Sequence, residues 1–162
     1  MDRYRPAMNP MRSMAVKLGA QPWLPRYSRL IVGTDKFLQR ISWGRVTIMM
    51  ATGLHELVLQ VPGRKTGILR STPLLTVPHG EGWLIVGSNW GAQDPPAWAS
   101  NLRAAEEPLV TYKGRTMAVD ARELSGPERD EKWAVAVAGW PNYARYAERT
   151  ERELPLFWLT PR

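Results

Sequence analysis

The 162-residue chain contains no cysteine. That absence removes disulfides, thiolate nucleophiles and Cys-ligated metals together. Histidine is scarce as well. His55 and His79 stand in neither an H-x-x-H nor an H-E-x-x-H arrangement, so no histidine metal centre is expected. No apolar run reaches the roughly eighteen residues of a spanning helix. The N-terminus also lacks the continuous apolar core of an export signal. The expectation is a cytoplasmic protein with one main core. Acids are nearly missing from the start of the chain. Through Arg45, nine Lys/Arg face only Asp2 and Asp35, whereas the remainder sets thirteen cations against thirteen acids. The whole excess of +7 therefore lies in the first 45 residues. A basic arm of this kind suits anionic lipid at the inner face of a membrane, nucleic acid or an acidic small ligand, and is equally a plain solvated leader. No helix-turn-helix, zinc or RRM pattern accompanies it, so nucleic acid is not an expected partner.

What is present divides at about residue 53. Residues 1–52 read as a basic leader with an amphipathic helix, and residues 53–162 as a barrel domain. Met1 to Pro25 carries Pro6, Pro10, Pro22 and Pro25 without a clear period and is expected to be irregular. From Tyr27 to about Trp43, apolar residues recur at near-helical spacing with Arg29, Lys36 and Arg40 between them. Short strand patterns then follow at Leu57–Val61, Leu69–Val77, Trp83–Gly87, Leu109–Tyr112, Thr116–Leu124 and Leu154–Leu159. The second hairpin turn falls at Pro78-His79-Gly80-Glu81-Gly82, which makes His79 a turn residue. Six short strands with few long helices suit a small closed or partly open barrel, mainly β with helices between strands. Asp94 as cap and Pro95 at the first helical position open one such helix. Ser125-Gly126-Pro127-Glu128, with capping-box spacing, opens another through Gly139. Trp140, Tyr143 and Tyr146 follow at three-residue steps, so on a helix their rings share one face.

The densest local chemistry is Val61-Pro62-Gly63-Arg64-Lys65-Thr66-Gly67-Ile68-Leu69-Arg70, a basic turn between two apolar runs. Gly63 and Gly67 permit positive φ, so that backbone N–H groups converge while Arg64, Lys65 and Arg70 supply charge for a phosphate or carboxylate. The same residues also make an ordinary solvated hairpin tip.

Five segments in order carry a resemblance. Gly63-Arg64-Lys65-Thr66-Gly67 with Arg70 and Pro73-Leu74 comes first, then Gly87-Ser88-Asn89-Trp90-Gly91 and Pro96-Ala97-Trp98 with Asn101-Leu102. Tyr143-Ala144-Arg145-Tyr146 and Thr150-Glu151-Arg152-Glu153-Leu154-Pro155 complete the set. Over about residues 57 to 160 the chain resembles the deazaflavin (coenzyme F-420)-dependent nitroreductase family. The resemblance implies a split β-barrel that binds 8-hydroxy-5-deazaflavin in a groove and transfers its hydride to a small or lipophilic acceptor. It implies cofactor positions at Arg64, Lys65, Thr66, Gly67, Arg70, Pro73, Ser88, Asn89, Trp90, Gly91, Pro96, Ala97, Trp98 and Asn101. Trp98 is expected as an apolar wall of the groove and Asn101 as a hydrogen-bonding group. Leu75, Trp140, Tyr143 and Tyr146 are expected to line the substrate face, with Tyr143, Tyr146 and Ser88 as the catalytic candidates. Pairing into a homodimer is a further implication. No protein nucleophile is needed, in keeping with the missing thiols.

Departures from the family pattern bear on the acceptor. Trp140, Leu75, Asn89 and Trp90 make a bulkier, less hydroxylated pocket than nitro-reducing members have, which favours quinones or enones over nitroimidazoles. Two other readings remain open: a binding or carrier module without chemistry, and an FMN enzyme on the same barrel.

Overall fold

A computed structural model describes residues 10–21 and 53–162, so the helix expected over Tyr27–Trp43 lies outside the described residues. Six strands, β1 (His55–Pro62), β2 (Leu69–His79), β3 (Gly82–Val86), β4 (Leu109–Tyr112), β5 (Arg115–Glu123) and β6 (Leu156–Pro161), form a closed antiparallel barrel. Its order is β1-β2-β3-β6-β5-β4, and β4 pairs back onto β1. Four α-helices lie among the described residues, α1 (Pro10–Gly19), α2 (Ala97–Arg103), α3 (Gly126–Gly139) and α4 (Asn142–Ala147), with a 3-10 turn at Asn89–Gly91.

Strand periodicity divides the molecule into two cores. On β3, Trp83 and Ile85 point into the barrel, while Leu84 and Val86 join a second cluster with Ala136, Trp140, Tyr143 and Tyr146. On β6, Phe157 and Leu159 likewise face the barrel interior, and Leu156 faces the helices. That is why β3 is buried along all five residues. The barrel interior is thus filled by side chains, and the second core lies between the outer surface of β2, β3 and β6 and the helices α3 and α4. Gly139 lets α3 approach β2, since a Cβ there would fall 2.4 Å from a Val77 methyl.

Three local expectations are corrected. The stretch before Pro25 is not irregular throughout, because Pro10–Gly19 is helical. Its inward positions Arg12, Ala15, Val16 and Gly19 follow i, i+3, i+4, i+7 spacing but are small or charged. Arg12 donates to the carbonyls of Ala138 and Gly139, placing a cation on the last turn of α3. The second helix begins at Ala97, with the extended Pro96 as its cap, rather than at Asp94-Pro95. Asp94 and Pro95 each precede a proline, which disfavours the helical region for both. The capping box at Ser125 does not form: Ser125 makes no side-chain cap bond, and Glu128 is held by Arg122 at 2.5 and 2.7 Å.

Candidate functional site

The hairpin joining β1 to β2 closes tightly. Gly63 N donates to Ile68 O at 2.8 Å, and Thr66 N and Gly67 N donate to Gly63 O at 3.0 and 2.7 Å. Gly67 holds φ +67°, whereas Gly63 serves close approach, because a Cβ there would lie 2.7 Å from Thr66 Oγ1. Arg64 N donates to Asn101 Oδ1 at 3.1 Å, which ties the tip to α2. The expected convergence of free amides is therefore not what this turn provides, since these N–H groups are engaged within the protein. What it presents is charge. Arg64, Lys65 and Arg70 are exposed, and none of them is ion-paired among the described residues.

The loop after β3 has the opposite character. Asn89, Trp90 and Gly91 take φ of 44°, 59° and 82° in succession. Its carbonyls are engaged from behind. Arg152 donates to Gly87 O at 3.2 Å, to Ser88 O at 2.9 Å and to Ala92 O at 2.9 Å. Arg149 donates to Trp90 O at 3.4 Å, and Ala92 N closes on Asn89 O at 2.9 Å. The amides of Ser88, Asn89 and Trp90 take no part in these bonds. Ser88 is half-buried and makes no side-chain cap bond. Gly87 is pressed between prolines, since a Cβ there would stand 2.6 Å from Pro155 and 3.5 Å from Pro96.

Trp90 joins this loop to an aromatic group. Its ring meets Tyr146 edge-on at 5.9 Å, and Tyr146 meets Tyr143 at 6.4 Å. Leu75 and Trp140 pack in the same cluster. Both tyrosines are buried, and burial raises both phenols, that of Tyr146 to about 12 and that of Tyr143 further. Each therefore stays protonated at neutral pH and can donate a hydrogen bond. Tyr146 gives its hydroxyl proton to Gly19 O at 2.9 Å.

The structure thus gathers Leu75, Trp90, Trp140, Tyr143 and Tyr146 in one cluster, and ties Arg64 to Asn101. It does not place every expected residue on an open groove. Trp98 is 9% exposed and packs on Phe157 in the barrel interior, so it supports the site from within. Asn101 is 8% exposed with its carbonyl oxygen already held by Arg64 N, which leaves its amide as the remaining polar group. Thr66 and Gly67 lie exposed at the tip, Ala97 is exposed, and Pro73 and Pro96 are half-buried. Arg149 and Arg152, unassigned from the sequence, contact the loop carbonyls directly. Their partners are 59 to 65 residues away in the chain; Arg152 falls in the last of the five segments that carry the resemblance, but the local sequence gives neither arginine a partner.

Residues 34–161 match the family model described as F420H(2)-dependent quinone reductase. The chain belongs to this family. The F420H(2)-dependent quinone reductase Rv1261c of Mycobacterium tuberculosis (strain ATCC 25618 / H37Rv) is 27% identical over 144 residues, covering 86% of this chain and 97% of the relative. A solved F420-H2 dependent reductase (FDR-A) is 31% identical, covers 64% of this chain and 92% of its own, and superposes with a TM-score of 0.59. A structure described as a domain-swapped dimer is 28% identical, with a TM-score of 0.63 over 78% of this chain and 93% of its own. This F420H(2)-dependent quinone reductase family member is accordingly an oxidoreductase that uses coenzyme F-420 on a split-barrel fold.

Proposed function

We propose that the chain binds reduced coenzyme F-420 along the edge running from the β1–β2 hairpin to the Ser88–Gly91 loop and reduces a quinone at the aromatic cluster beyond it. The single observation that carries this reading is the 5.9 Å contact of Trp90 with Tyr146, which sets the donor-bearing loop directly against the aromatic cluster. The residues fit an anionic coenzyme: three exposed cations at the hairpin suit its phosphodiester and glutamate tail, and a loop whose carbonyls are engaged suits ring carbonyls. The bound coenzyme supplies the hydride. Arg64, Lys65 and Arg70 hold the anionic end, and Asn101 fixes Arg64. Ser88, Asn89 and Trp90 orient the ring, while the barrel residues below exclude water. Since Tyr146 already donates to Gly19 O, Tyr143 is the better placed to hydrogen-bond the acceptor oxygen as negative charge develops there.

Quinones rank first as acceptors because the relatives carry that name, and because Trp140 and Leu75 line the cluster with apolar bulk. Enones come next, and nitro compounds last. Lipophilic acceptors also suit contact with an anionic membrane surface. On α1, Met11, Met14 and Leu18 form an exposed stripe at i, i+3, i+7 beside Lys17. Deleting residues through Pro25 is then expected to abolish sedimentation with anionic vesicles. A homodimer is the proposed assembly, in line with the dimeric structural relative.

The test is titration of the coenzyme against intrinsic tryptophan fluorescence. Arg64→Ala with Lys65→Ala is expected to weaken binding by about 2 to 5 kcal/mol, if each charge makes a charge-assisted bond. Affinity unchanged in that variant removes the hairpin from the site, and tighter binding of FMN would reassign the cofactor.

A further inference from the structure

Arg152 makes three hydrogen bonds, and all three go to one loop. Nε reaches Ala92 O, Nη1 reaches Gly87 O and Nη2 reaches Ser88 O, at 2.9, 3.2 and 2.9 Å. A planar fork with fixed donor directions can hold three carbonyls only in one mutual arrangement. The chain it holds is otherwise unfavourable, because Asn89 and Trp90 are non-glycine residues in the left-handed region. Among the described residues no carboxylate is ion-paired with Arg152, and its charge rests on peptide dipoles. Burial draws its pKa down, with the charge of Asp94 opposing. Arg149, three residues earlier, adds one bond to the same loop, with Trp90 O on one nitrogen and Ala20 O on another.

We infer that Arg152 is a positioning residue, which locks the Ser88–Gly91 loop so that its amides face the coenzyme ring. This rests on the coenzyme site proposed above. The guanidinium engages the loop's acceptors, which leaves a surface of donors, and its positive charge strengthens the attraction of that surface for an electron-rich ring edge. Lysine in its place keeps the charge and loses the fork.

The experiment compares wild type, Arg152→Lys, Arg152→Gln and, as a control, Arg122→Ala at the exposed Arg122–Glu128 pair. Affinity for coenzyme F-420 is measured by fluorescence titration of the folded fraction, and exchange of the loop's hydrogen-bonded amides, Gly91 N on Ser88 O and Ala92 N on Asn89 O, is followed in the same samples. Both Arg152 variants are expected to bind at least about tenfold more weakly and to exchange these amides faster, with the quinone KM little changed and the control like wild type. Wild-type affinity in Arg152→Lys overturns the inference, because charge alone would then suffice. A smaller folded fraction with unchanged affinity in what remains folded also overturns it, since the residue would be merely structural. If wild type itself fails to bind the coenzyme, the site reading fails separately, and unaltered exchange in the variants would still overturn the clamp.

Discussion

The hydroxyl of Tyr146 donates to the carbonyl of Gly19 at 2.9 Å, fastening the end of α1 to α4 across 127 positions of sequence. Two more side chains act with it. Asn142 Nδ2 donates to Val16 O at 2.8 Å, and Arg149 Nη2 donates to Ala20 O at 2.7 Å. The carbonyls of a helix's last turn have no partner within the helix, and here the chain following α3 supplies three. An acceptor that reaches the Tyr146 hydroxyl must displace Gly19 from it.

Tyr146→Phe is therefore expected to loosen α1 by about 1 to 2 kcal/mol, a buried acceptor having lost its donor. Amide exchange and limited proteolysis within residues 10–21 should quicken, while the barrel strands stay protected. Unchanged protection of α1 would show that the other two bonds suffice.

Tyr143→Phe is expected to act on rate. If its hydroxyl meets the acceptor oxygen in the transition state, kcat falls by about 10²-fold with coenzyme affinity retained. Full turnover in both Tyr143→Phe and Tyr146→Phe would assign the role elsewhere.

Much of the barrel was legible in the sequence, because period-2 runs and Gly-bounded turns mark strands that bury one face inside a barrel. Leu109–Tyr112 has the expected bounds, and the other five strands lie within two residues of theirs at every end. Helix α1 was not legible, since its buried face is Arg12, Ala15, Val16 and Gly19 while Met11, Met14 and Leu18 face out, which inverts the usual apolar signal. At the candidate site, the cations of the hairpin were legible as residue types. That the turn's amides are engaged internally, and that Asn101 answers Arg64, depends on packing between β1 and α2 that no local pattern encodes. The contacts of the two loop-clamping arginines were hidden for the same reason, although Arg152 lies in one of the five segments that carry the resemblance.

Gly91→Ala is expected to destabilise the fold by roughly 1 to 3 kcal/mol. Gly91 holds φ +82°, and an added Cβ would fall 2.7 Å from Tyr146 O and 2.8 Å from Arg149 Cβ. Urea denaturation measures the loss, and a midpoint equal to wild type would contradict the close approach of this loop to α4.

Stability should fall as the solution is acidified below the ordinary histidine value of 6.5. Burial, with Lys113 near His55 and Lys132 near His79, lowers both imidazole pKa values in the fold. The unfolded chain therefore binds more protons in that window, and the native state is favoured above it. Glu123, held low by Arg103, acts only below its ordinary 4.5. Melting temperature against pH should slope downward from 6.5 toward acid in wild type and flatten in His55→Gln with His79→Gln. Equal slopes would place the acid sensitivity outside the histidines.

The most direct measurement is the oxidation of reduced coenzyme F-420 by a menaquinone analogue, followed by the return of the oxidised coenzyme's absorbance. Sustained turnover with wild type, lost in Arg64→Ala with Lys65→Ala, is the predicted result. Coenzyme binding without turnover on any quinone would contradict the account and make the chain a carrier.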